Sequence, residues 1–225
     1  GLLGNGFLIV IFIRHENMRR PQNAMLINLT VIDLISLVLN LPFVTIAINH
    51  PWTWGMILCK IFWFSRNLTV FVSIYSMVFL SYHRFQALSR FARKRRFTEN
   101  QTVGIMTSML WILGILYSLP GALFSDVHNT RGTCHFVEYD KIFLDVAIVV
   151  ICVIPTIVLA IFSTWTSVLL KRSVENFPGE RTGHEKRIKD RILRSRVFII
   201  LVIVTVVCYY PKYIMQFLHT HTSLF

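Results

Sequence analysis

Asn5, Asp33 and Ser73 are polar residues set in apolar stretches, and each lies about the same distance from a polar edge. At 1.5 Å of rise per helical residue, Asn5 is about 14 Å from Arg14. Asp33 is about 15 Å beyond Asn23, and Ser73 about 16 Å from Arg84. If these stretches cross a membrane, three helices bring polar groups to one level near the midplane. A carboxylate there costs several kcal/mol unless it is paired or hydrated, so Asp33 should face the protein interior. The chemistry expected of the trio is the holding of water or a small cation. Asn5 and Ser73 taken singly also fit plain packing between helices, where small polar residues are common.

Basic residues form a second pattern. Arg66 and Arg84 are eighteen residues apart, five helical turns, so they share one face with about 27 Å between them. Lys212 stands about 24 Å beyond Arg196, close to the level of Arg66. Arg66 with Lys212 would make an anion-binding site at one mouth of a cavity, with Arg84 in "LSYHRFQAL" at the other. Snorkelling of either long side chain to the interface is the alternative. Asp145, Glu138 or Asp140 would be an internal partner for the pair.

Enzyme chemistry finds no support. The sequence has no His-x-x-x-His or Glu-x-x-His pair, no Gly-x-Ser-x-Gly and no converging carboxylates. His128, His135, His219 and His221 fall in outer segments, and "HTHT" reads as a solvated helix end rather than a metal site.

The elements that must position these residues are transmembrane helices. Hydrophobic residues make up 54% of the chain, and apolar runs recur at Asn23–Ile48, Ile57–Leu80, Val103–Phe124, Ile142–Leu170 and Val197–Leu218. Each reaches the roughly 20 residues needed to span a hydrocarbon core. Gly1–Ile13 reads as the inner half of a truncated first span. Lipid leaves no partner for open strands, so the spans are helical.

The net charge of +12 is distributed by gap. Arg14, Arg19 and Arg20 occupy the first gap, Arg90, Arg93, Lys94, Arg95 and Arg96 the third, and a basic series from Lys171 to Arg196 the fifth. The second gap has no Lys or Arg, and the fourth only Arg131 and Lys141. This alternation places the odd gaps in the cytoplasm and the amino end outside. It excludes nucleic acid as the reason for the charge and leaves anionic inner-leaflet lipid as a partner.

Cys59 and Cys134 then lie on the oxidising side, where a disulfide is expected, while Cys152 and Cys208 read as core residues within spans. Pro42, Pro120, Pro155 and Pro211 fall in or near the ends of spans and should bend them.

Taken in order, Gly4-Asn5, "NLTVIDL" at 28–34, "LPF" at 41–43, "WTWG" before Cys59, "HRF" at 83–85, Trp111, Pro155 and "CYYP" at 208–211 resemble a rhodopsin-like (class A) G-protein-coupled receptor. The match covers nearly the whole chain and looks most like the peptide-receptor branch. The resemblance implies an all-α membrane fold, a seven-helix bundle of which residues 1–225 carry helices 1 to 6 as one partial domain. It implies a sodium and water site at Asn5, Asp33 and Ser73. Coupling to a heterotrimeric G protein would fall to His83, Arg84 and Phe85, and transmission to Ile74, Pro155, Thr205, Tyr209 and Pro211. An extracellular ligand, a peptide carrying an acidic group, is expected at Arg66, Asn67, Val70, Lys212, Gln216 and Asp145. No other cofactor or metal is expected, and the location implied is the plasma membrane.

Departures from the family pattern bear on that reading. His83 stands where the family has an acid, Phe85 where it has tyrosine, Thr205 where it has phenylalanine, and Tyr209 where it has tryptophan. Arg191 stands where an acid near the base of the sixth helix would pair with Arg84, although Asp190 is adjacent. A seventh helix with its NPxxY motif is not in the sequence, so the chain is expected to be a piece of a longer receptor. Two alternatives stay open: a non-signalling six-span relative or decoy, and a small ion or solute transporter with Asp33 as its ion site. Internal repeats and paired broken helices would favour the transporter, and neither is visible.

Overall fold

The computed structural model describes residues 1–19, 21–88, 99–128, 132–136, 141–175, 200, 203–204, 206–208, 210–211, 213–215 and 217–218. Helix α1 runs Leu2–Arg14 and helix α2 Pro21–Ile35; a proline at a first helical position costs nothing, because its missing N–H has no intrahelical partner there. A wide turn at Ser36–Asn40 joins α2 to α3, Leu41–Asn49. Helix α4 is Gly55–Leu88 and α5 is Glu99–Leu123. A hairpin of β1, Ser125–His128, and β2, Thr133–Phe136, precedes α6, Lys141–Ile148. A second wide turn, Val149–Val153, leads into α7, Ile154–Glu175. The described positions between 203 and 218 are helical.

Among the described residues, four stretches are long and apolar enough to cross a membrane: Asn23–Ile46, Gly55–His83, Asn100–Leu123 and Asp145–Leu169. They match the apolar runs, but the helices overrun them. Helix α4 continues past the expected end at Leu80 to Leu88. The His83–Arg84 pair therefore lies inside a helix. Nothing between Leu80 and Leu88 breaks a helix, and apolarity had marked only its membrane part.

Both wide turns have the same cause. In each, the backbone N–H of the following residue reaches five residues back, from Leu41 to Ser36 and from Ile154 to Val149. Each turn ends two residues before a proline, Pro42 or Pro155. The proline ring crowds the carbonyl four residues earlier and supplies no N–H, so the helix widens by a residue to relieve the clash.

The described residues cluster into two units: Gly1–Met77 with Phe97–Tyr139, and Val78–Arg96 with Asp140–Phe225. In the first, α5 packs closely on α4. A Cβ on Gly121 would stand 2.7 Å from Asn67 Nδ2 and 3.0 Å from the Trp63 carbonyl oxygen. Near the same end of α5, Trp52, Cys59 and Phe62 form a buried cluster against which Phe43, Val44, Trp63, Val127 and Cys134 pack. The strands pair antiparallel, with Asp126 opposite His135 and His128 opposite Thr133. Gly132, at φ +57°, turns the hairpin, and its carbonyl accepts from Trp52 N. A Cβ there would meet Pro51 at 3.0 Å, so the left-handed turn and the close approach both require glycine.

In the second unit, Phe162 of α7 packs on Tyr82 and Phe85 at 5.4 and 5.6 Å between ring centres, and Trp165 lies 5.4 Å from Phe85. Tyr210 Oη lies 3.1 Å from the Cys152 carbonyl and 3.0 Å from Thr156 Oγ1, fastening the last helix to the widened turn. Cys152 is buried as expected, but Cys208 is exposed. In a membrane the surface is as apolar as the core, so composition alone could not separate the two.

Candidate functional site

Helix α4 carries Ser65, Thr69, Ser73 and Ser76 at spacings of four, four and three, which puts them on one face. The second span runs antiparallel to it and supplies Asn40, Asp33 and Asn28 in reverse order. Asn40 Nδ2 donates to Thr69 Oγ1 at 2.9 Å, and Ser65 Oγ donates to Asn40 Oδ1 at 2.7 Å. Ser73 Oγ donates to Asp33 Oδ1 at 3.3 Å. Asn28 Nδ2 donates to Ser76 Oγ at 2.7 Å, and Trp111 Nε1 of α5 closes on Asn28 Oδ1 at 2.9 Å. The helices are thus joined by a ladder of polar rungs, buried at Asn40 and at Asn28–Ser76 and part-buried at Asp33–Ser73 and Asn28–Trp111.

Asp33 and Ser73, two of the three residues expected at the water or sodium site, form the middle rung. Their carboxylate and hydroxyl are hard oxygen donors of the kind a small cation takes. Asn5 is half-buried on α1, and its backbone N–H donates to the Gly1 carbonyl at 3.0 Å. The Asn40 rung was missed by sequence reasoning, although the four-residue spacing of Ser65, Thr69 and Ser73 carried the signal.

Arg66 sits one position from that polar face. Its guanidinium carbon lies 5.4 Å from the Trp63 ring centre and 5.8 Å from that of Phe62. This sets a planar cation over an aromatic shelf, which limits its rotamers. Asn67 and Val70 are half-buried on the same helix, and Asp145 is half-buried in α6 of the other unit. Lys212 and Gln216 lie outside the described residues, as do Glu138, Asp140, Thr205, Tyr209 and Arg191.

His83 is buried in α4 and Phe85 is half-buried against Phe162 and Trp165. The backbone of Arg84 is helical, and its side chain lies outside the description. Ile74 is 2% exposed and Pro155 is fully buried, while Pro211 is exposed. Cys59 and Cys134 form the expected disulfide, with Cα atoms 5.6 Å apart. That bond, with Phe136 packed on Trp63 at 5.2 Å, pins the hairpin to the first turns of α4, Cys59 about two turns and Trp63 about one turn from Arg66.

Residues 4–224 match the family "7 transmembrane receptor (rhodopsin family)". The chain is a member of that family. The membership accounts for the ordered motifs, the helical spans and the disulfide together, and makes the chain a multi-pass membrane protein of a receptor family rather than an enzyme family. It is 26% identical to somatostatin receptor type 5 of Rattus norvegicus over all of this chain and 62% of that receptor. It is 24% identical to bombesin receptor subtype-3 of Ovis aries over 99% of this chain and 60% of that receptor. Over 95% of the chain and 46% of the relative, it is 26% identical to the neuropeptide CCHamide-1 receptor of Drosophila melanogaster. The chain thus spans about three fifths or less of the length of these relatives.

Proposed function

We propose that this chain is the transmembrane core of a plasma-membrane receptor, its amino end outside, that binds an extracellular peptide and activates a heterotrimeric G protein. The observation that carries the reading is the family match over residues 4–224 together with relatives named as peptide and neuropeptide receptors. Arg66 on its aromatic shelf, close to a disulfide-pinned hairpin, supports a ligand with a carboxylate. A guanidinium fork meets that group with two parallel, charge-assisted hydrogen bonds. Residue counting from Arg196 puts Lys212 near the level of Arg66, where it would add a point charge that a ligand anion would balance. Arg84 is the residue through which outward movement of the sixth helix reaches the G protein.

When bound, a sodium ion at Asp33 and Ser73 would neutralise the half-buried carboxylate and favour the resting arrangement. The residues themselves hold the second span against α4 at that level. One observation favours a second reading, a non-signalling decoy: His83 replaces the acid that would restrain Arg84. The test is a cell line carrying G-protein biosensors, challenged with a peptide panel that includes acidic and carboxyl-amidated members. The proposal requires a response that disappears in Arg84→Ala while surface expression persists. Peptide binding without any G-protein response would favour the decoy.

A further inference from the structure

The hairpin has two unlike faces. Ser125, Val127, Cys134 and Phe136 alternate onto the inner one, where they carry the disulfide and pack on the Trp52, Phe62 and Trp63 rings. By the period of two, Asp126, His128, Thr133 and His135 share the other face. The imidazoles of His128 and His135 are diagonal neighbours, their ring centres 5.7 Å apart. Nothing in the receptor chemistry above uses them.

That separation fits chelation. A tetrahedral metal holds imidazole nitrogen at about 2.0–2.1 Å, which places two bound rings with their centres about 5 Å apart. The pair is within a small rotamer adjustment of that distance. His135 Nδ1 lies 3.4 Å from the Thr133 carbonyl oxygen. In the tautomer that donates there, Nε2 is the ligand and the carbonyl is the orienting partner that metal-bound histidines usually have. Asp126, directly across from His135, has Oδ1 held at 2.7 Å by the Val127 N–H and adds negative charge beside the pair. Among the described residues no group of three or more His, Cys, Asp or Glu can hold a metal, so at a two-imidazole site water would have to complete the coordination.

We propose that His128 and His135 form a two-imidazole site for a divalent transition-metal ion, zinc fitting best, on the hairpin face opposite the disulfide. Binding ties β1 to β2 across the turn at Gly132 and stiffens the segment that the disulfide anchors beside Arg66. Two nitrogen donors select zinc and copper over calcium and magnesium, which prefer oxygen.

The test titrates zinc into the purified chain in lipid nanodiscs against a chromophoric chelator. One equivalent should bind, and excess calcium should not displace it. His128→Ala and His135→Ala should each weaken binding about tenfold or more, while His50→Ala and the paired change His219→Ala, His221→Ala should leave it unchanged. Mass mapping of the intact Cys59–Cys134 bond confirms that each variant's hairpin has folded, and His128→Asn repeats the test with a side chain suited to a turn. Zinc binding that follows His219 and His221, or that survives both hairpin changes, overturns the proposal. So does the absence of stoichiometric binding.

Discussion

Asn40 lies in the widened turn ahead of Pro42, and its amide donates to Thr69 of α4 at 2.9 Å while accepting from Ser65. The proline creates the local irregularity, and the side chain fixes it to a neighbour. Asn40→Leu keeps the branched outline but removes these bonds, and should cost about 1–3 kcal/mol. Asn40→Ala should cost a similar amount, because the loss is polar rather than steric. Thermal unfolding in detergent checks this; a melting temperature unchanged in the leucine variant would show that the rung contributes nothing.

Glycines in α5 separate packing from propensity. Gly121→Ala forces a methyl against Asn67 and the Trp63 carbonyl, and should destabilise by about 1–3 kcal/mol. Gly104→Ala meets nothing within 4 Å and should be neutral or mildly stabilising. Equal effects at the two positions would contradict the close α4–α5 contact.

Removing either Cys59 or Cys134 frees the hairpin from α4. A disulfide in a long loop typically contributes about 2–4 kcal/mol. Surface expression should fall in Cys59→Ser and in Cys134→Ser, and the double variant should be no worse than either. Additive losses would mean that the two thiols act separately.

The Asp33–Ser73 rung bears on cation binding. Replacing sodium in the medium with a bulky organic cation should raise basal signalling in the native receptor, and Asp33→Asn should remove that dependence. Persistent sodium sensitivity in Asp33→Asn would place the ion elsewhere.

Much of the fold was legible in the sequence because lipid imposes a simple rule: spans are apolar, and polar residues within them need a reason. That rule picked out Asp33 and Ser73, and sidedness picked out the disulfide. What escaped detection depends on local geometry. Proline was expected to bend the chain, but whether a helix kinks or widens by one residue depends on how the carbonyl four residues earlier can move. Asn40 was not singled out, because the extra residue of the wide turn is invisible in the periodicity. The hairpin was missed because its strands are four residues each and fall between apolar runs. Tyr210 carries a tie to α7 that no motif singled out, since which residue of a helix faces a partner depends on the rotation of the helix.

Arg66 should tolerate little. Arg66→Ala should weaken binding of a carboxylate-bearing peptide at least tenfold, and Arg66→Lys should recover only part of it, because a point charge cannot form the bidentate pair. Asp145→Asn should have little effect. Full-affinity binding in Arg66→Ala would make the ligand neutral and the arginine structural.

The most direct measurement is basal G-protein activation in living cells, with surface expression matched, for the native chain within its receptor, Arg84→Ala and His83→Asp. An acid at position 83 would hold the neighbouring guanidinium by a charge-assisted bond that histidine cannot make. The account predicts a raised basal signal in the native receptor, a lower one in His83→Asp and none in Arg84→Ala. A basal signal that is the same in all three would contradict it.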